Sequence, residues 1–246
     1  MRRPIIIIPA RRASTRLPDK PLAMIGDAPM IVQVWRRAMA ANLGEVIVAT
    51  DDAEIMAVVE AAGGKAVMTR VDHPSGSDRI WEALLAVDPK GDYEIVVNLQ
   101  GDLPTLDPSL LKELVAPFDR EEVDITTLGA VIDNERDRQS PSVVKPVIAF
   151  HDEAGRSGRC LYFSRATVPH GEGTLYHHIG LYGYRRAALK RFVALPPSPL
   201  ERREKLEQLR ALEAGMHIEI RIVDTQPLGV DTQEDLEKAR SLLCTD

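Results

Sequence analysis

Two cysteines in 246 residues, Cys160 and Cys244, are too few and too far apart for a disulfide framework or a CxxC site. That usage suits a reducing compartment. Long apolar runs are also missing. The N-terminus reads Met1-Arg2-Arg3-Pro4 and then has only four isoleucines before Pro9, too short for a signal-peptide core, and nothing later reaches the length of a membrane span. A cytoplasmic location is expected. Cations are not in excess: Lys and Arg number 31 against 37 Asp and Glu, a formal net charge of −6, which argues against a nucleic-acid binder. Neither GxGxxG nor GxxxxGK[ST] occurs, so the sequence supports no dinucleotide fingerprint and no P-loop. Without an internal repeat, low-complexity tract or flexible linker, the chain reads as one domain over residues 1–246. A chain of this size buries about 70–75% of its unfolded surface.

What is present begins at Ile5. Ile5-Ile6-Ile7-Ile8 is an uninterrupted β-branched run, the pattern of a strand buried on both faces inside a parallel sheet. It breaks into a loop that carries Arg11, Arg12, Arg16 and Lys20, stiffened by Pro9, Pro18 and Pro21, with Asp19 its one acid. Ligands of open α/β sheets bind outside the carboxyl ends of the strands, where this loop lies. A stiff cationic loop there suits a polyanion such as a nucleoside triphosphate; the bland reading is a solvated basic loop.

Strand and helix signals alternate through the first half. Helical patterns cover about Pro29–Asn42, Asp52–Ala62 and Ser77–Val87; strand patterns cover Glu45–Thr50, Lys65–Met68 and Glu94–Leu99. This rhythm implies an α/β fold with a mostly parallel sheet flanked by helices and joined by right-handed crossovers. In the second half Asp124–Val131, Val143–Phe150, Cys160–Phe163 and His177–Tyr184 read as strands, with helices scarce among them. A β-rich insertion over about residues 133–176 is expected at the sheet edge, as a contact for a second subunit. Ser198-Pro199-Leu200-Glu201 opens a helix with a capping box, and Thr232 with Asp235 opens the last helix in the same way.

Two carboxylates stand at loop ends. Asp102, in Asn98-Leu99-Gln100-Gly101-Asp102-Leu103-Pro104, follows a strand and a glycine, where it either closes a turn on its own backbone or ligates Mg²⁺, which favours one or two carboxylates plus phosphates and waters. Asp231, in Gly229-Val230-Asp231-Thr232, either caps the last helix or partners Asp102. Survival of both carboxylates favours a transferase over a nucleotide-binding regulator without turnover.

Seven segments occur in order: IPARRASTRLPDKPL (8–22), DHPSGSDR (72–79), NLQGDLP (98–104), YFSRATVP (162–169), HHIGLYGYR (177–185), PPSPLERREKLEQLR (196–210) and GVDTQEDLEKAR (229–240). Together they span nearly the whole chain and closely resemble the 3-deoxy-D-manno-octulosonate (KDO) cytidylyltransferases. The CMP-sialic acid synthetases share the opening segment but not SPLERREKLEQLR. The resemblance implies a nucleotide-diphospho-sugar transferase-like fold and a homodimer formed through the insertion. It implies Mg²⁺-dependent transfer of CMP from CTP to the anomeric hydroxyl of KDO, with release of pyrophosphate, for lipopolysaccharide synthesis in the bacterial cytoplasm. Carried over by motif, Arg11 and Lys20 hold the CTP phosphates, Ser14 and Arg16 shape the loop, and Ser75, Gly76 and Arg79 lie near the cytidine. Asp102 and Asp231 bind the metal. Gln100, Arg165, His178, Tyr182, Glu207 and Gln208 line the sugar pocket. KDO carries a carboxylate and many hydroxyls, so Arg165 fits the first and the polar side chains fit the second. On one continuous helix after Pro199, Glu204, Glu207 and Gln208 would share a side, opposite Leu206, Leu209 and Leu212. Two departures stand out: the family commonly has Glu where this chain has Leu103, and Pro169–Tyr176 is short for the family. An 8-amino analogue of KDO therefore stays open as the acceptor.

Overall fold

The computed structural model describes residues 3–12, 17–151 and 153–243. The chain divides into two compact units, residues 1–112 with 227–246, and residues 113–226.

The first unit is wound as the rhythm of its sequence dictates. Strand β1 (Pro4–Ala10) leads, after the 3₁₀ turn Lys20–Leu22, into the short pair β2 (Met24–Ile25) and β3 (Ala28–Pro29) and then helix α1 (Met30–Ala40). Next come β4 (Glu45–Thr50), α2 (Ala53–Ala61), β5 (Lys65–Met68), α3 (Gly76–Val87) and β6 (Ile95–Asn98). The strands run β5-β4-β1-β6, every neighbouring pair parallel. β1 is central, and Ile5, Ile6, Ile7 and Ile8 are all fully buried. Buried on both faces, each isoleucine contributes about 1.5–3 kcal/mol. Ile31 and Val34 of α1, Ile55 and Val59 of α2, and Ile80 and Leu84 of α3 complete the core. Polar groups mark where the helices start: the Asp52 carboxylate accepts from the N–H groups of Glu54 and Ile55, and the Ser75 hydroxyl from that of Asp78.

The chain crosses into the second unit within α4 (Ser109–Val115), and continues through β7 (Ile125–Val131), α5 (Glu135–Gln139), β8 (Lys145–Phe150), β9 (Ser157–Ser164), β10 (Tyr176–Arg185), α6 (Arg186–Ala194), α7 (Pro199–Glu204), α8 (Gln208–Glu213) and β11 (Ile218–Ile222). Its strands run β10-β7-β11-β9-β8, with β7–β11 parallel and the other pairs antiparallel. Residues 133–176 hold α5, β8 and β9, and the β9–β8 pair ends this order. Helix α9 (Gln233–Leu243) then returns to the first unit, where Arg240 Nε donates to the Met24 carbonyl at 2.9 Å.

Helices are scarce among the strands of residues 124–184, where the described residues hold α5 alone, and a helix opens after Ser198 as its capping box implies. Two points of the second half need correction. β11 was not expected, although Ile218-Glu219-Ile220-Arg221-Ile222 alternates as a strand does. The helix after Pro199 is not continuous. The Ser198–Glu201 capping box forms, but Lys205 adopts left-handed backbone (φ 56°, ψ 46°), and Leu206 N–H closes back on the Glu201 carbonyl at 3.3 Å. Burial of Leu206 beyond a left-handed residue is the usual seal of such a helix end. Glu204 therefore belongs to α7 and Gln208 to α8, and the stripe drawn on a single helix does not exist.

Truncating the centre of β1 tests how much rests on it. Ile7→Ala is expected to lower unfolding stability by about 2–5 kcal/mol, seen as a lower urea midpoint with unchanged slope.

Candidate active site

β1 and β6 are parallel neighbours, so the loops that leave their carboxyl ends emerge together. Gly101 permits the close approach: a Cβ there would lie 3.0 Å from the Pro9 carbonyl oxygen. The segment that precedes α9 then docks on the β6 loop. Val230 N–H donates to the Asp102 carbonyl at 2.9 Å, and Leu228 N–H to the Thr105 hydroxyl at 3.0 Å. Asp102 and Asp231, remote in sequence, thereby become neighbours.

Between them stands Lys20, delivered by the 3₁₀ turn that follows Asp19. Its Nζ donates to Asp102 Oδ2 at 2.8 Å and to Asp231 Oδ1 at 3.0 Å. Burial pulls the ammonium's pKa down, but the Asp102 and then the Asp231 carboxylate more than offset it, and the net direction is up. Lys20 is therefore charged at neutral pH. Asp231 does not cap α9. That role falls to Thr232, whose hydroxyl accepts from Asp235 N–H at 3.2 Å while Asp235 Oδ2 accepts from Thr232 N–H at 3.0 Å.

These groups line a cavity of about 620 Å³, a volume ordinary for small-molecule sites. Arg11 and Lys20 enter it from the β1 loop, and Gln100 and Asp102 from the β6 loop, with Asp231 beside them. Ser75, Gly76 and Arg79 form the wall at the start of α3. No ion pair of Arg11 is found among the described residues. Arg79 is committed to the scaffold: one amine donates to Thr69 Oγ1 at 2.6 Å and the other to Asp51 Oδ2 at 2.7 Å, with the side chain only 4% exposed. Ser14 and Arg16 lie outside the described residues. His73 and Pro74 also line the cavity but were not singled out, although the 72–79 segment contains both. His73 Nε2 contacts the Glu82 carboxylate.

The other sugar-pocket candidates belong to the second unit. Arg165 donates through Nε to the Glu204 carbonyl (2.9 Å), through Nη1 to that of Pro141 (3.0 Å) and through Nη2 to that of Lys205 (3.4 Å). It thereby holds the break between α7 and α8, beyond which Glu207 lies 3.5 Å from Arg210 and Gln208 is buried. His178 and His177 leave β10 on opposite sides. His177 Nδ1 meets Gln226 Nε2 at 2.6 Å, whereas His178 Nε2 meets the Thr127 hydroxyl at 2.9 Å. The His178 ring packs between Phe163 and Tyr182, centroids 4.9 and 5.5 Å away. Burial, helped by the neighbouring His177, drives its pKa from 6.5 to about 3, so the imidazole is neutral.

This burial has a pH signature. Below its ordinary pKa of 6.5 an unfolded His178 takes up a proton that the folded one refuses down to about 3. Stability should therefore fall as pH drops below 6.5, by up to about 1.4 kcal/mol per pH unit from this residue. Urea unfolding of His178→Phe between pH 6.5 and 5 is expected to show a shallower slope than the parent; equal slopes would place the imidazole in solvent.

Comparisons with known proteins give the family. The cytidylyltransferase family profile matches residues 5–218. A 3-deoxy-manno-octulosonate cytidylyltransferase of Parvibaculum lavamentivorans is 62% identical over 240 residues, covering 98% of this chain and 92% of its own. One of Bradyrhizobium sp. is also 62% identical, covering 97% and 96%. Among solved structures, a CMP:2-keto-3-deoxy-manno-octonic acid synthetase complexed with CTP superposes with a TM-score of 0.89 at 40% identity, covering 98% of each chain. The architecture is that of the nucleotide-diphospho-sugar transferases, a largely parallel sheet flanked by helices. A Leptospira borgpetersenii cytidylyltransferase, 17% identical with a TM-score of 0.63, shares the fold. The profile gives a cytidylyltransferase and the full-length relatives narrow it: this chain belongs to the 3-deoxy-manno-octulosonate cytidylyltransferase family.

Proposed function

We propose that the protein transfers CMP from CTP to the anomeric hydroxyl of KDO and releases pyrophosphate. The observation that carries this reading is Lys20 held between Asp102 and Asp231 at the strand ends, in a chain alike over its full length to a synthetase solved with CTP. Arg11 and the protonated Lys20 are suited to the phosphates, where negative charge grows as the sugar oxygen attacks and pyrophosphate departs. Ser75, Gly76 and Arg79 supply the wall for the cytidine, and Arg79 acts through its hold on Asp51 and Thr69. Ser14 and Arg16 complete the loop in this reading.

The donor set fits Mg²⁺: two neighbouring carboxylates face a cavity with room for phosphate oxygens and waters. Asp102 and Asp231 would hold the ion. A divalent ion held there would supply charge neutralisation at the phosphates and would ease deprotonation of the attacking hydroxyl.

On the sugar side, Arg165 spends three of its five N–H groups on carbonyls and keeps two for a carboxylate. Neutral His178 serves as a hydrogen-bonding group and not as an acid at neutral pH. Gln100, Tyr182, Glu207 and Gln208 supply hydroxyl partners. KDO is favoured over its 8-amino analogue because the relatives carry KDO in their names. A homodimer through residues 133–176 and a cytoplasmic location belong to the same proposal. Among the described residues, no helix is long and apolar enough to cross a membrane. β8, the last strand of its unit's order, offers a second copy an edge.

Pyrophosphate release should require CTP and KDO together, with no turnover of sialic acid; equal rates with both sugars would overturn the assignment. Lys20→Ala and Arg11→Ala should each slow turnover by about 10²–10³. Arg165→Ala and Gln208→Ala should mainly raise KM for the sugar. Asp102→Asn and Asp231→Asn should each abolish turnover in a folded protein and move any residual Mg²⁺ dependence to higher concentration. A normal Mg²⁺ titration for either variant would remove that residue from the metal site.

A further inference from the structure

Arg11 and Arg12 are consecutive, yet they serve different surroundings. Arg11 lines the cavity, whereas Arg12 is taken up by three carboxylates. Its Nε donates to Asp19 Oδ1 at 2.7 Å, and its Nη1 to Glu54 Oε2 at 2.8 Å and, more weakly, to Asp52 Oδ2 at 3.5 Å. Asp52 is a fixed point, because its other oxygen caps α2 through the N–H groups of Glu54 (2.9 Å) and Ile55 (3.1 Å).

The far end of this strap is Asp19, immediately before Lys20. Asp19 has left-handed backbone, φ 52° and ψ 28°, a conformation that disfavours any residue with a Cβ. Its carbonyl accepts from Leu22 N–H at 2.8 Å, which closes the turn that presents Lys20. One guanidinium therefore ties the end of β1 and the start of α2 to a strained residue beside the lysine.

We infer that Arg12 is a positioning residue: through Asp19 it sets the Asp19–Leu22 turn that presents Lys20 to the nucleotide phosphates, and does not itself touch the nucleotide. The inference rests on the reading of this cavity as the CTP site. A turn held in advance by this contact spares CTP the entropy of fixing Lys20, so the benefit falls on nucleotide binding. Exposed ion pairs of this kind add little to global stability.

The test compares Arg12→Ala, Asp19→Ala and the double variant by CTP titration, steady-state kinetics and thermal unfolding. Both single variants should raise the Kd and KM for CTP by about five- to twentyfold, the effect of ordering one or two side chains on binding. The kcat should stay within about twofold, KM for KDO and Tm should hardly move, and the double variant should be no worse than the weaker single one. If Arg12 contacted phosphate directly, Asp19→Ala would tighten CTP binding by removing a competing acid, and the inference would fail. It would also fail if both variants bound CTP within twofold of the parent. A parent enzyme that released no pyrophosphate from CTP with KDO would instead contradict the proposed function.

Discussion

Lys20 stands between two carboxylates that would otherwise repel each other across the floor of a cavity. Remove its charge and Asp102 and Asp231 lose the cation they share, in a setting where partial burial makes each carboxylate costlier. The lysine thus holds the acidic pair together, and its raised pKa ensures that it does so throughout the neutral range. The same pair is what a divalent cation favours and the same lysine what a phosphate favours.

That arrangement depends on a scaffold built to bring three remote segments to one place. β1 fixes the root of the cationic loop because its four isoleucines have nowhere to go but the interior. β6 lies beside it in parallel register and brings Asp102 to the same edge. Backbone hydrogen bonds from residues 228 and 230 then anchor Asp231, while Thr232 and Asp235 take over the helix cap. Packing delivers the segments, and local capping chemistry leaves Asp231 facing Lys20.

Much of this was legible in the residues. The first unit follows its sequence closely, since continuous apolar strands and capped amphipathic helices are strong local signals: Glu45–Thr50 and Lys65–Met68 lie where their patterns place them. The second half resisted because its determinants are tertiary. The α7–α8 break comes from a left-handed Lys205 and the burial of Leu206, neither of which a 3.6-residue period encodes. β11 buries the Glu219 carboxylate among Arg120, His151, Ser157 and His217, so the polar half of its alternation does not face solvent as a simple reading assumes. At the site, residue types pointed to Lys20, Asp102 and Asp231 but not to their contact, which depends on the docking of residues 227–231. Nor could they show that Arg79 is pinned to Thr69 and Asp51, or that Arg165 spends most of its donors on the scaffold.

The first unit takes residues from both ends of the chain, and this has a consequence for synthesis. A ribosome that has made residues 1–226 has produced the cationic loop, Asp102 and all of the second unit, but not the second carboxylate. Lys20 has then only one of its two partners, and nothing yet pairs with the Asp102 carbonyl or the Thr105 hydroxyl as residues 228 and 230 later do. The acidic pair can close only when residues 227–231 double back across the whole intervening sequence. Such a nonlocal contact forms late in folding. A chain stopped before residue 227 therefore lacks the Asp102–Lys20–Asp231 contact altogether, however much of the second unit has folded.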